Sequence, residues 1–175
     1  NQNAVDTLNY TGAMQTYIVP AGITSVTIEA KGAQGGTAYS VYDGGKGAVM
    51  QGDFNVYGGQ VLKIVVGEKG GSTTNYLSGG GGGSFVWTDG LSTPLIIAGG
   101  GGGGGDFPNG DENGVITQNA QNGQSPYSNG YFYAGLGGTN GSGGEAGAGG
   151  NQIGAAGGGG GWYSDGGGTY PGLAN

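Results

Sequence analysis

The chain contains no histidine and no cysteine, so carboxylates, hydroxyls, amides and aromatic rings are the only chemistry open to it. Ser-His-Asp and Cys-His sites are excluded together, and so are disulfides and thiolate metal sites. The eleven carboxylates could in principle furnish a pair for glycoside hydrolysis, but no spacing singles out two of them. The inventory points to a protein that is not an enzyme and carries no cofactor. Gly44-Gly45-Lys46-Gly47 has the look of a phosphate loop, yet the hydroxyl residue after the lysine and the following helix are missing. Asn109, Asp111, Asn113 and Gly114 fit the first half of a calcium loop, with Ile116 at its apolar position. The closing position holds Ala120 where a bidentate acid is needed, so a solvated Asn/Gly turn is favoured over calcium. That leaves aromatic rings. Tyr127, Tyr131, Tyr133, Trp162 and Tyr163 could form a platform for sugar rings or a peptide, since tyrosine offers a flat face and a hydroxyl. The alternative for the same rings is packing over the glycine-rich part of the chain, which has few side chains of its own.

The elements that must position these residues are short. Val26, Ile28 and Ala30 alternate with Thr27, Glu29 and Lys31, the period of a half-buried strand. Gln15 to Pro20 alternates in the same way, and Gly47 to Val56 sets Ala48, Met50, Phe54 and Val56 against Gln51, Asp53 and Asn55. Tyr57-Gly58-Gly59 is expected to turn this strand back into Gln60 to Val66, where Leu62, Ile64 and Val66 form a face, giving a hairpin. Ser84 to Trp87 and Pro94 to Ala98 flank Asp89-Gly90 and read as a second hairpin. Nowhere does helical periodicity extend over ten residues, and so many glycines oppose an α-helix. The expected class is all-β, with short strands separated by glycine turns arranged as a sandwich or jelly roll.

Glycine supplies 50 of the 175 residues. It forms tracts at Gly79 to Gly83, Gly99 to Gly105 and Gly157 to Gly161, and falls at every third position from Gly135 to Gly150. Three residues per turn is the pitch of a polyproline-II helix, which makes no internal hydrogen bonds. Collagen solves that problem with three proline-rich chains, but the stretch 135–152 has no proline. The remaining ordered solution is a bundle of polyglycine helices within one chain, bonded laterally so that buried N–H and C=O groups are paired. The competing reading is a flexible linker, against which stand the apolar plugs Phe85-Val86-Trp87 and Leu95-Ile96-Ile97 between tracts. Residues 1–175 thus read as one glycine-rich domain. Strands fall mainly in 10–70 and 84–98, and glycine helices mainly in 79–83, 99–105 and 135–168.

The net charge is −7, and Lys31, Lys46, Lys63 and Lys69 are the only cationic side chains. Nucleic acid is therefore an unsuitable partner. No apolar run approaches the roughly twenty residues of a membrane span, so direct insertion is not expected, and Asn1 to Tyr10 has no signal-peptide pattern.

Three blocks together resemble a known family: Tyr10-Thr11-Gly12 with Gln15 to Gly22, then Ser25 through Gly36, then Gly79 to Gly105 with its Ser84-Phe85-Val86 and Pro94-Leu95-Ile96-Ile97-Ala98. They look like the glycine-rich domain in the extracellular parts of anaplastic lymphoma kinase and leukocyte tyrosine kinase and in many bacterial surface proteins. The resemblance covers about residues 10–162. It implies a jelly-roll subdomain similar to tumour necrosis factor joined to a bundle of polyglycine helices. Comparable bundles occur in tail adhesins of some bacteriophages and in a snow-flea antifreeze protein. The ligand-binding residues of the receptors have no matching motif here. The expected function is that of a non-catalytic recognition or adhesion module of a larger bacterial protein, secreted or at the cell surface, binding protein or glycan. The alternatives are a structural spacer in a surface fibre and an ice-binding domain, the latter disfavoured because Glu145 interrupts the row of Thr139, Ser142 and Ala148.

Overall fold

A computed structural model describes residues 4–74, 78–104, 113–115, 132–133, 148–149 and 162. Alternating side chains become antiparallel strands. β1 (Gln15–Ile18), β4 (Val61–Val65), β5 (Ser84–Thr88) and β6 (Pro94–Ala98) form one sheet in the order β1-β4-β5-β6. β2 (Ser25–Lys31) and β3 (Val49–Asn55) form a second. β7 (Phe132–Tyr133) and β8 (Ala148–Gly149) make a third, two-residue pairing. There is no helix among the described residues, and the protein is all-β.

The two larger sheets pack face to face, because the apolar face of β2 and β3 and the inner face of the four-stranded sheet are both removed from water this way. Val26, Ile28, Met50 and Phe54 from β2 and β3 pack against a core of Val19, Ala30, Val56, Leu62, Ile64, Val86, Ile96 and Ala98. The opposite faces of β2 and β3 carry exposed Thr27, Glu29, Gln51 and Asp53, with the Thr27 hydroxyl donating to Asp53 at 2.6 Å. The second expected hairpin is present: β5 pairs with β6 through a turn in which Gly90 has φ +80°.

The first is not. β3 pairs with β2, whereas β4 pairs with β1 and β5, so Tyr57-Gly58-Gly59 joins two sheets and closes no hairpin. The physical reason lies in the corner itself. Gly59 takes φ +86° and donates its N–H to the carbonyl of Val19 at 2.8 Å, while the N–H of Val19 bonds the carbonyl of Gln60 at 2.9 Å. The chain is thereby delivered beside β1. Alternation shows which face a strand buries, not which strand it pairs with.

Between the strands the chain runs through five segments without strand structure: 32–37, 43–48, 67–73, 78–83 and 99–104. They bond laterally, and each partner recurs at every third residue. Gly32 and Gly35 donate to the carbonyls of Ala48 and Gly45, and Ala33 and Gly36 to those of Gly82 and Gly79. Gly101 and Gly104 donate to Ala33 and Gly36, Gly45 and Ala48 to Gly102 and Gly99, Gly70 and Thr73 to Gln34 and Thr37. These bonds measure 2.8–3.0 Å, full-strength geometry. Segments 32–37, 43–48 and 67–73 lie outside the long glycine tracts, and the sequence reading misses their place in this network. Glycine is required here for lack of room. A Cβ on Gly35 would overlap the carbonyl oxygen of Gly102, and one on Gly101 that of Gly45.

The N-terminal stretch is strapped on by two tyrosines. Tyr10 donates its hydroxyl to Glu68 at 2.7 Å and Tyr17 to Asp6 at 3.0 Å. Each carboxylate acceptor holds its phenol above the ordinary value of 10.0, because the bond and the neighbouring negative charge both favour the protonated ring. A group whose pKa is raised on folding stabilises the fold fully below its unfolded pKa and loses that contribution as pH rises through the folded one. Stability is therefore expected to fall above about pH 10 more steeply in the natural chain than in a Tyr10→Phe/Tyr17→Phe variant. Denaturant melts in alkaline buffers, with tyrosinate absorbance followed in parallel, measure the difference. Equal slopes would mean that neither strap forms.

Candidate recognition surface

The strands enter and leave the bonded segments at one end. Lys31 of β2, Val49 of β3, Ser84 of β5 and Ala98 of β6 adjoin segments 32–37, 43–48, 78–83 and 99–104 directly, and β4 reaches 67–73 through Val66. Among the described residues the opposite end carries three turns, 19–24, 56–60 and 89–93, the last following Thr88 at the end of β5. One buried side chain ties them together. Gln60 is 8% exposed, and its Oε1 accepts the N–H of Tyr57 at 3.1 Å while its Nε2 donates to the Thr88 hydroxyl at 3.0 Å. Its backbone N–H reaches the carbonyl of Tyr57, and its carbonyl takes the N–H of Val19. A buried amide left unpaired is costly, so these bonds hold the three turns in one arrangement. Ile23, Tyr57 and Leu91, one on each turn, are exposed.

Of the aromatic residues named from the sequence, Trp162 is half-buried. Its ring lies 5.5 Å from that of Phe85, tilted, and 5.2 Å edge-on from that of Trp87, distances of favourable aromatic pairing. Phe85 and Trp87 alternate with the buried Val86, so Trp162 covers the outer face of the four-stranded sheet. Tyr133 lies in β7, opposite Ala148 of β8. Tyr127, Tyr131 and Tyr163 lie outside the described residues.

Of the residues considered for calcium, Asn109 and Asp111 also lie outside them. Asn113 is described, and its Oδ1 accepts the backbone N–H of Lys46 at 2.7 Å while Gly114 donates to the Lys46 carbonyl. Its amide therefore extends the lateral bonding. Among the described residues no group of three or more acidic or other ligating side chains could hold a metal ion. In 44–47 the Gly45 N–H bonds the carbonyl of Gly102 and the Lys46 N–H bonds the side-chain oxygen of Asn113, so both donors are taken up within the protein. No helix of the described residues is long and apolar enough to cross a membrane.

At the far end of the bonded segments the chain reverses through 38–42. The carbonyl of Ala38 accepts the N–H groups of Val41 and Tyr42, and the carbonyl of Tyr42 accepts the N–H of Ala38. The Thr37 hydroxyl donates to Asp43 Oδ1 at 2.9 Å across the base of the turn. The sequence gives no turn signal here, since Thr37 to Asp43 contains no glycine, proline or asparagine.

Neither a scan against protein-family models nor a search of curated proteins finds a match for this chain.

Proposed function

We propose that the chain is a non-catalytic recognition or adhesion module of a larger bacterial protein, secreted or held at the cell surface, that binds protein or glycan through loops on a rigid scaffold. The scaffold is read as a glycine-rich domain, a jelly roll similar to tumour necrosis factor joined to a bundle of polyproline-II-type glycine helices. Lateral bonds that recur every third residue support that reading, since three residues per turn is the helix's own repeat. The segments take part in no strand yet pair their backbone groups with several neighbours at once, as such a bundle demands.

The observation that carries the functional reading is that exposed apolar residues stand on the turns at both ends. Ile23, Tyr57 and Leu91 are exposed on the turns at one end and Val41 and Tyr42 on the turn at the other; Val5, Tyr10, Met14 and Ile18 are exposed along the N-terminal stretch and β1, and the outer face of β2 and β3 is polar apart from Val49. A plain spacer has no use for apolar residues fixed at its tips, whereas a binding module carries its contacts on loops positioned by a rigid framework. The absence of histidine and cysteine supports binding without catalysis. The test is equilibrium binding of the intact chain to immobilised cell-surface proteins and to neutral and acidic oligosaccharides. Saturable binding to one class, tighter than about 1 mM, is expected. A folded chain that binds none of them would make the fibre-spacer reading the better one.

A further inference from the structure

The turn at 38–42 contains a conformational choice that runs against the rest of the sequence. Tyr39 has φ +48° and Ser40 φ +60°, and they are the only described residues other than glycine with positive φ. Two successive positive φ values at the centre of a reversal are those of the primed hairpin turn, whose central positions favour Asn-Gly. Side chains are disfavoured there because Cβ crowds the following carbonyl. This chain places 50 glycines elsewhere and none at these two positions. Backbone strain of this kind, maintained where relief is one substitution away, marks residues kept for their side chains.

Those side chains make a defined surface. The rings of Tyr39 and Tyr42 meet edge to face, with centroids 6.4 Å apart and planes at 73°. Tyr39 is half-buried, and Ser40, Val41, Tyr42 and Asp43 are exposed, Val41 at 72%. The bond from Thr37 to Asp43 Oδ1 orients the carboxylate and leaves Oδ2 as an acceptor. Segment 71–73 lies alongside: Ser72 accepts the N–H of Thr37 through its hydroxyl, and Thr73 donates its N–H to the Thr37 carbonyl. Residues 37–43 and 71–73 contain no lysine.

We propose that this tip is a binding site for neutral oligosaccharides. A sugar ring offers an apolar C–H face and a rim of hydroxyls. The first matches a tyrosine ring, and the second matches an oriented carboxylate flanked by hydroxyls, which accept and donate hydrogen bonds. Asp43 and the overall charge of −7 repel uronic, sialylated and phosphorylated sugars. A reversal of five residues is small for a protein partner, whose stable interfaces bury about 800 Å² on each side, and is the size of one or two sugar rings.

The proposal rests on the recognition reading and is tested separately from it. The experiment compares the intact chain with Tyr39→Asn/Ser40→Gly and with Tyr42→Leu on an array of neutral and acidic oligosaccharides, and on the immobilised surface proteins used above. The natural chain is expected to bind neutral sugars and not acidic ones. Tyr39→Asn/Ser40→Gly relaxes the turn and is expected to melt about 2–4 °C higher while binding at least about tenfold more weakly. Tyr42→Leu keeps the apolar bulk and loses the ring, and is expected to weaken sugar binding by a similar factor. Undiminished sugar binding by both variants would overturn the site. So would binding to surface proteins with no neutral sugar bound, a result that leaves the recognition reading standing. Binding to neither class overturns both.

Discussion

Gly101→Ala is expected to leave little or no folded protein at 25 °C, while Gly71→Ala folds and melts slightly higher than the natural chain. At Gly101 a Cβ would overlap the carbonyl oxygen of Gly45 and sit 2.8 Å from the carbonyl carbon of Lys46. Both are backbone atoms of a segment held on its other side, and no flexible side chain can yield. Gly101 also donates to Ala33 and accepts from Gly81. Displacing it by the needed distance breaks bonds to two segments and strands their partners in a buried site, at about 1–3 kcal/mol for each group left unpaired. The sum, about 5 kcal/mol or more, is comparable with the whole stability of an ordinary domain. Gly71 is exposed, with nothing near its Cβ position among the described residues and no positive φ. Alanine there restricts the unfolded chain and adds about 0.4–1 kcal/mol of stability. Urea melts of the two variants make the comparison. A well-folded Gly101→Ala protein would disprove the close lateral packing.

The second large effect is expected at the junction between sheet and bonded segments. The Ser84 side chain, at the start of β5, is buried. Its hydroxyl donates to the carbonyl of Lys31 at 2.6 Å and accepts the N–H of Gly67 at 3.0 Å, joining the ends of β2, β4 and β5 where they pass into the network. Ser84→Ala removes the acceptor of the Gly67 N–H and is expected to cost about 1–3 kcal/mol. Ser78 provides an internal control. It too is buried, and its hydroxyl lies 2.6 Å from the Gly36 carbonyl and 3.1 Å from that of Gly104. Those carbonyls also receive backbone N–H groups, from Gly104 and from Ser78 itself. Ser78→Ala orphans neither and is expected to cost only about 0.5–1.5 kcal/mol. Paired chemical denaturation decides the order, and the reverse order would remove Ser84 as the joint.

The strands were legible because each carries its own period. In β2, Val26, Ile28 and Ala30 declare one face over seven residues without reference to any partner. The pairing was not legible, because the neighbours of β3 and β4 are set by chain that runs through the bonded segments between strands. Alternation has no term for that. The segments 32–37 and 43–48 escaped for a related reason. They include Ala33, Gln34, Thr37 and Lys46, since only residues facing a neighbouring backbone must lack a side chain, so they do not present as glycine tracts. The proposed binding surface was the least legible part. Density of tyrosine and tryptophan drew attention to the stretch from Tyr127 to Tyr163, and of those residues Trp162 lies against Phe85 and Trp87. The turn at Tyr39 and Ser40 is conspicuous only once its φ values are known.

The bonded segments have one further consequence, for the temperature range over which the fold holds. A conventional core hides hydrocarbon, and exposing hydrocarbon on unfolding raises the heat capacity, which bends the stability curve down at both ends. Here much of the interior is peptide group against peptide group, and exposing polar surface lowers the heat capacity. The two contributions oppose each other. Unfolding should therefore carry a smaller heat-capacity increment than is usual for 175 residues, and the protein should keep its stability nearly level far into the cold.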